Sequence, residues 1–121
     1  MERIAVISCQ IGEIMKPIIH KYNYVRSKIY TDSAKDQSCT ICGTNVGTTV
    51  FVHLDEQWAG KGTGIKADDI AGFDGCDLCH MRYAGILPGE RIPEWKITRA
   101  MYRTLKNRIE RGIVTVKGYE P

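Results

Sequence analysis

The sequence predicts a small α+β fold with one domain held together by zinc. Three observations predict this class: two Cys-x-x-Cys pairs, a strand-like segment rich in threonine and valine between them, and a long amphipathic helix near the C-terminus. A chain of 121 residues suits one domain with a modest core, so a structural metal would contribute to its stability. We divide the chain into an N-terminal extension, residues 1–25, and a zinc-containing domain, residues 26–121.

The extension is the least regular part of the sequence. Residues 4–7 could form a strand, and Gly12 and Pro17 would interrupt any helix. Its apolar stretch is framed by charged residues and lacks a small-residue cleavage site, so we expect no secretory signal. No apolar run approaches the roughly 20 residues that span a bilayer. The sequence therefore predicts a cytoplasmic protein without a membrane segment.

The predicted domain begins with a short helical turn and a cysteine pair. Thr31 or Asp32 would cap a turn that runs through Asp36. The run Cys39-Thr40-Ile41-Cys42-Gly43 then has the form of a zinc knuckle, in which glycine lets backbone amides face the sulfur atoms. Residues 48–54 follow as a predicted strand.

The second half of the domain contains the other cysteine pair and ends in a long helix. Three glycines in residues 60–64 indicate a loop, and a short strand is expected before the run Cys76-Asp77-Leu78-Cys79-His80, which leads into a helix ending near Gly85. Residues 93–111 are predicted to form a helix whose apolar stripe consists of Ile97, Met101, Leu105 and Ile109. Gly112 would stop it, and residues 113–116 could add a strand.

Four cysteines form the most specific pattern in the chain. Cys39, Cys42, Cys76 and Cys79 offer four thiolates for tetrahedral zinc, a closed coordination that is typical of structural sites. Two disulfides, buried free thiols or a thiol redox centre are the alternatives, and the paired spacing in a reducing compartment disfavours them. Cys9 is left over and is expected to be a small buried apolar residue.

Charge is unevenly distributed along the sequence, although the net charge is only +3. Residues 54–80 carry two basic and six acidic groups, whereas residues 81–121 carry nine and four. Carboxylates that hold a divalent metal beside cations that hold a polyanion would suit an enzyme acting on phosphodiesters. Solvated surface charge is the alternative interpretation.

Candidate catalytic side chains lie between or beside the cysteine pairs. A histidine at a strand end can deprotonate water near neutral pH, and a second histidine fixed next to a zinc ligand can hold a divalent metal. Structural roles remain open for each: a satisfied surface histidine, a spare zinc ligand, an ordinary glycine turn or a capping aspartate. The candidates are His53, Asp68, Asp69, His80, Lys61 and Lys66.

These motifs resemble the HNH, or His-Me finger, endonucleases, in which a pair of zinc knuckles surrounds a ββα-metal motif. More narrowly, the chain resembles the small nuclease family of lambdoid phages and prophages, over about residues 26–117. The matching runs are Arg26-Ser27-Lys28, Asp32-Ser33-Ala34, Thr48-Thr49-Val50 with His53, Gly60-Lys61-Gly62-Thr63-Gly64-Ile65-Lys66, Asp69, Cys76-Asp77-Leu78-Cys79-His80, the helix near Trp95, Arg103-Thr104-Leu105 and Glu110-Arg111-Gly112.

The resemblance implies an HNH nuclease domain over residues 26–121 that hydrolyses DNA with Mg²⁺ or another divalent metal, in the cytoplasm of a phage-infected or prophage-carrying bacterium. It implies roles in phage recombination, replication or packaging. His53 would be the general base, His80 the ligand of the catalytic metal, and Asp69 would stand at the central asparagine position. Many HNH nucleases place an aspartate before the base histidine as a second ligand, and this chain has Val52 there. Asp69 is our preferred substitute; Asp68, substrate phosphates or impaired catalysis are the alternatives.

Substrate binding is assigned to cations of the glycine-rich loop and of the 93–111 helix. The five residues are Lys61, Lys66, Arg99, Arg103 and Lys106. Lys96, Arg108 and Arg111 of the same helix could also contact the phosphate backbone. They would contact phosphates with little sequence preference, although a solubilising outer face is the simpler alternative. A homodimer would permit nicking of both strands. The competing function is a non-catalytic zinc-containing DNA-binding or adaptor module, which Val52 favours.

Overall fold

Two antiparallel strands and three helices form the regular structure of residues 23–121, the part of the chain that the computed structural model describes. The small α+β class predicted from the sequence is therefore confirmed. The predicted strand at residues 4–7 and Cys9 lie outside the described residues. The elements are α1 Lys28–Asp32, β1 Val50–His53, a 3₁₀ turn Gln57–Ala59, β2 Gly72–Gly75, α2 Asp77–Tyr83 and α3 Glu94–Glu110.

Helix α1 begins earlier than the sequence pattern indicated. Ser27 has an extended backbone and its hydroxyl accepts a hydrogen bond from the Tyr30 amide, so Ser27 is the N-cap. The helix ends at Asp32 and hydrogen-bonded turns continue to Asp36, so the predicted turn is present. The prediction that Thr31 or Asp32 caps it was wrong. Serine, threonine and aspartate all suit a cap, and burial of Tyr30 selects the register that starts at Ser27.

Strands β1 and β2 pair along their whole length, with Val52 opposite Phe73 and His53 opposite Gly72. Val52 and Phe73 are both buried and lie at the centre of the core. The strand predicted at residues 48–54 and the one predicted before Cys76 are thus confirmed, although β1 is shorter than predicted. A Cβ atom on Gly72 would approach the Phe51 ring to 2.6 Å, so glycine lets β2 lie close to the end of β1.

Helix α2 follows β2 after a single residue, Cys76, which is its N-cap. Gly85 lies just beyond the helix with φ of 74°, as predicted for the residue that ends it. The predicted strand at 113–116 is wrong. The amides of Ile113 and Val114 instead donate to the carbonyl oxygen of Arg108, so this segment turns against the end of α3.

Helix α3 has nearly the predicted bounds, but a different face packs on the sheet. Its buried residues are Ile97, Ala100, Thr104 and Arg108, whereas Leu105 is 42% exposed. The face is set by polar pairing: the Thr104 hydroxyl accepts from the Asp74 amide, and Arg108 binds the Asp74 carboxylate on β2. Hydrophobic periodicity therefore identified Ile97 and Met101, which pack in or against the core, but it missed Thr104 and Arg108.

None of the described helices combines the length and the apolar character that a membrane crossing requires.

Candidate functional site: a four-cysteine cluster beside a histidine cavity

The four cysteines of the two Cys-x-x-Cys pairs meet at one point. Their sulfur atoms all lie within 4.8 Å of one another, and the Sγ atoms of Cys42 and Cys76 are 3.7 Å apart. Zinc–sulfur bonds of about 2.3 Å in a tetrahedron place the sulfur atoms about 3.8 Å apart. The cluster therefore has the ligand type and spacing of a structural zinc site, as the sequence predicted.

Backbone geometry explains why the first pair forms this cluster. The amides of Ile41 and Cys42 lie 3.4 and 3.5 Å from the Sγ atom of Cys39, and Gly43 has φ of 80°, which glycine adopts without strain. The amide of Thr40 donates to the carbonyl oxygen of Asp74 on β2 at 2.8 Å. The knuckle is thereby attached to the strand that delivers Cys76.

The electrostatics of the thiols also fit a cation at this point. Burial, together with the neighbouring thiols, raises the pKa of Cys79, and burial likewise raises the pKa of Cys76. At Cys42 burial is outweighed by hydrogen bonds from Thr44 and the other cysteines, which lower the pKa to about 6. A metal cation held by the four sulfur atoms would favour their ionised form.

Both candidate catalytic histidines line one hollow, which we call the histidine cavity. Its volume is about 260 Å³. His53 reaches it from the end of β1, and His80 reaches it from α2, one residue after the last cysteine of the cluster. Lys61 and Lys66 of the glycine-rich loop also line it. The structure thus brings together four of the residues singled out in the sequence.

His53 is held in place by a carboxylate and an aromatic ring. Its Nε2 atom lies 2.8 Å from Oδ1 of Asp69, and the Phe51 ring meets the imidazole edge to face with centroids 4.9 Å apart. The His53 side chain is 21% exposed, so one part remains accessible. This arrangement fixes the orientation of the imidazole ring, and Nδ1 is the ring nitrogen that does not contact Asp69.

Asp69 is itself buried and engaged on both carboxylate oxygens. Its Oδ2 atom accepts from the Ser27 amide at 2.7 Å, and its Oδ1 atom lies 3.4 Å from Arg26. Burial would raise its pKa, but the hydrogen bonds from His53 and Ser27 outweigh that effect and hold the pKa below its usual value. Asp69 is therefore a carboxylate that orients His53.

Asp69, the preferred substitute for the metal ligand that Val52 replaces, contacts His53 and is not among the residues that line the histidine cavity. Val52 is 2% exposed and packs in the core, so its side chain points away from solvent. The carboxylate that lines the histidine cavity with His53 and His80 is Asp55, which the sequence reasoning missed. The sequence signal that could have identified Asp55 is its His-x-Asp spacing from His53 at the end of a predicted strand. Within residues 23–121, the four cysteines alone bring three or more ligand atoms within 4.8 Å of one another.

The predicted phosphate-binding residues of α3 lie apart from this cavity. Arg99 stacks on Trp95 with its guanidinium carbon 4.9 Å from the ring centroid. Arg103 donates to the Thr40 carbonyl oxygen at 3.2 Å, and Lys106 is 4.0 Å from Glu110. Of the cations proposed from the sequence, Lys61 and Lys66 are the ones placed beside the candidate catalytic residues.

Arg108, which the helical pattern had also suggested for phosphate binding, is fully buried. Its guanidinium group donates to both oxygens of Asp74, at 2.7 and 2.6 Å, and to the Tyr30 carbonyl oxygen at 2.9 Å. It joins α1, β2 and α3 and is not available to a ligand. The expectation that this arginine contacts nucleic acid was wrong.

Comparison with known protein families, with curated proteins and with solved structures finds no match to this chain.

Proposed function

We propose that the chain is a metal-dependent endonuclease that hydrolyses phosphodiester bonds of DNA. The observation that carries the proposal is the histidine cavity: a carboxylate-oriented histidine, a second histidine and two lysines line one hollow beside a cysteine cluster suited to zinc. The chain order β1, β2, α2 agrees with that of a ββα-metal core, with His53 at the end of β1 and His80 in α2.

His53 would act as the general base. Asp69 is ionised at neutral pH because its pKa is lowered, so it favours the tautomer in which Nε2 carries the proton and donates to Oδ1. The lone pair of Nδ1 is then free to accept a proton from water. The water oxygen forms a bond to phosphorus as the bond from phosphorus to the leaving oxygen breaks, and His53 keeps the proton.

His80 and Asp55 would hold a divalent cation, and Lys61 and Lys66 would hold the phosphate. A bound divalent cation supplies Lewis-acid stabilisation of the negative charge that develops on the leaving oxygen. Mg²⁺ commonly binds through one or two protein carboxylates and substrate phosphates, so a site that lacks three preassembled protein ligands agrees with binding of metal and substrate together. The cysteine cluster keeps His80 in position because it fixes the first turn of α2.

The test is cleavage of supercoiled plasmid and branched DNA by the zinc-loaded protein with Mg²⁺ or Mn²⁺. We expect divalent-dependent cleavage by the wild type and a loss of about 10²-fold or more in His53→Ala, in the range of general-base removal. Zinc content and circular dichroism must match the wild type. Cleavage that persists unchanged in folded His53→Ala would contradict the assignment of the base.

A non-catalytic zinc-containing DNA-binding or adaptor module is the second candidate. The buried valine at position 52 favours it, because that position carries a metal ligand in many of the enzymes that this chain resembles. This function predicts salt-sensitive DNA binding through Lys61 and Lys66 without cleavage under any divalent cation. The same experiment therefore separates the two candidates.

A further inference from the structure

A second hollow, which we call the tryptophan pocket, opens next to the histidine cavity and has a volume of about 270 Å³. The two hollows share Leu54 and Tyr83 as lining residues. Tyr83 is fixed between them, because its hydroxyl accepts from the Asp55 amide at 2.8 Å and its ring packs edge to face on Phe73. A nucleic-acid strand bound in the histidine cavity would therefore have a neighbouring nucleotide beside the tryptophan pocket.

Trp58 forms an exposed wall of this pocket on a backbone that is held in place. The side chain is 70% exposed, yet the next residue, Ala59, is buried and its carbonyl oxygen accepts from the Asp68 amide at 2.9 Å. The carbonyl oxygen of Gly60 accepts from the Tyr24 hydroxyl at 3.1 Å. A large aromatic side chain presented to solvent on a fixed turn is a suitable surface for stacking a planar ligand.

The remaining lining residues describe what kind of ligand the pocket suits. Its apolar lining residues include Ile97 and Met101. The charged residues that line it are two glutamates, Glu56 and Glu94, and one arginine, Arg91. Two carboxylates against one cation disfavour a phosphate, but carboxylates accept hydrogen bonds from the exocyclic amino groups of cytosine and adenine.

We propose that the tryptophan pocket binds an unpaired nucleobase that has an exocyclic amino group and stacks on Trp58. The base belongs to a nucleotide that flanks the scissile phosphate, so this inference rests on the proposed nuclease function. The substrate class is then DNA with at least one unpaired nucleotide beside the cut, as in gapped, bulged or branched DNA. A base within a perfect duplex would first have to leave its stack, which costs binding free energy.

Trp95 provides a matched control, since it is the second of the two tryptophans of the chain. It is 59% exposed and belongs to the first turn of α3, but its ring carries the guanidinium of Arg99 at 4.9 Å and lies outside the tryptophan pocket. Replacing it removes a similar exposed area without changing the proposed base site.

The experiment measures binding of zinc-loaded protein, without added Mg²⁺, to DNA that contains 2-aminopurine, a fluorescent base with an exocyclic amino group. One probe carries this base in a single-nucleotide bulge and the other carries it paired in a duplex. We expect wild type and Trp95→Ala to prefer the bulged probe and to quench its fluorescence by stacking. Trp58→Ala should lose quenching and bind the bulged probe about 5-fold to 150-fold more weakly, as stacking on an aromatic side chain predicts.

Equal binding of both probes by the wild type, or equal losses in the two tryptophan variants, would overturn the proposal. Replacing 2-aminopurine by cytosine or thymine in the bulge tests the carboxylates: cytosine should bind more tightly, and Glu94→Gln should reduce the difference. No preference for cytosine over thymine would refute the role of the amino group.

Because this assay needs no cleavage, its outcome is separate from that of the nuclease assay. Trp58-dependent binding without cleavage would retain the base site and refute the nuclease. Divalent-dependent cleavage that is equally fast on paired and bulged DNA would retain the nuclease and refute the base site.

Discussion

Replacing Arg108 by methionine should destabilise the protein severely, because it leaves the Asp74 carboxylate buried without its cation. The two side chains are 0% and 1% exposed and are joined by two hydrogen bonds of 2.7 and 2.6 Å. Removing one partner of such a buried pair costs about 3–5 kcal/mol. The free energy of unfolding of native proteins is about 5–15 kcal/mol, so the variant would lose a large fraction of its stability.

The assay is thermal and urea unfolding of zinc-saturated protein followed by circular dichroism. At about 4 °C per kcal/mol, we expect Tm to fall by about 12–20 °C. Lys106→Met is the control on the same helix, since this lysine is exposed, and its free energy of unfolding should change by less than about 0.5 kcal/mol.

A double variant, Asp74→Leu with Arg108→Met, separates the loss of a charge partner from the loss of packing. It removes both charges, so it should unfold at a higher temperature than Arg108→Met alone. An Arg108→Met protein as stable as the Lys106→Met control would refute the reasoning, and would return Arg108 to the set of residues available to a ligand.

Three further predictions concern the metal, the orienting carboxylate and the substrate. The purified chain should contain one zinc ion per molecule by elemental analysis, and it should unfold when a chelator removes the zinc. Cys79→Ser should abolish zinc binding. A protein that keeps its full stability after chelation would contradict a structural site. The lowered pKa of Asp69 means that its stabilising contribution is present above the usual aspartate value of about 3.9 and is lost as pH falls through the lower folded-state pKa. The difference in free energy of unfolding between wild type and Asp69→Asn should therefore shrink on going from pH 5 to pH 3, and a constant difference would argue against the ionised contact. Lys61→Ala and Lys66→Ala should each reduce the salt slope of DNA binding by about one, whereas replacement of Lys117, which does not line the cavity, by alanine should not.

Elements with a strong local signal could be predicted from the sequence. Proline, a glutamate in the first turn and a following glycine bounded α3, and the spacing of the cysteine pairs was sufficient to identify the four residues that meet in the cluster. Each of these signals acts within a few residues, so it does not depend on where the chain goes afterwards.

Features that depend on tertiary pairing were missed. The buried face of α3 contains Thr104 and Arg108, two polar residues that hydrophobic periodicity assigns to solvent and that Asp74 draws into the core. Asp55 and the tryptophan pocket depend on how the loop after β1 folds against α2 and α3, which no local pattern specifies. For the same reason, the contact of Asp69 with His53 could be suspected from the sequence but not placed.

Asp74 has a further consequence for how the protein acquires its metal. Its carbonyl oxygen accepts from both the amide and the hydroxyl of Thr40 in the first knuckle, while its carboxylate binds Arg108 of α3. Metal capture and docking of the C-terminal helix therefore share one residue, and each should make the other more favourable. A substitution at Arg108, which is remote in sequence from every cysteine, should then weaken the affinity of the protein for zinc.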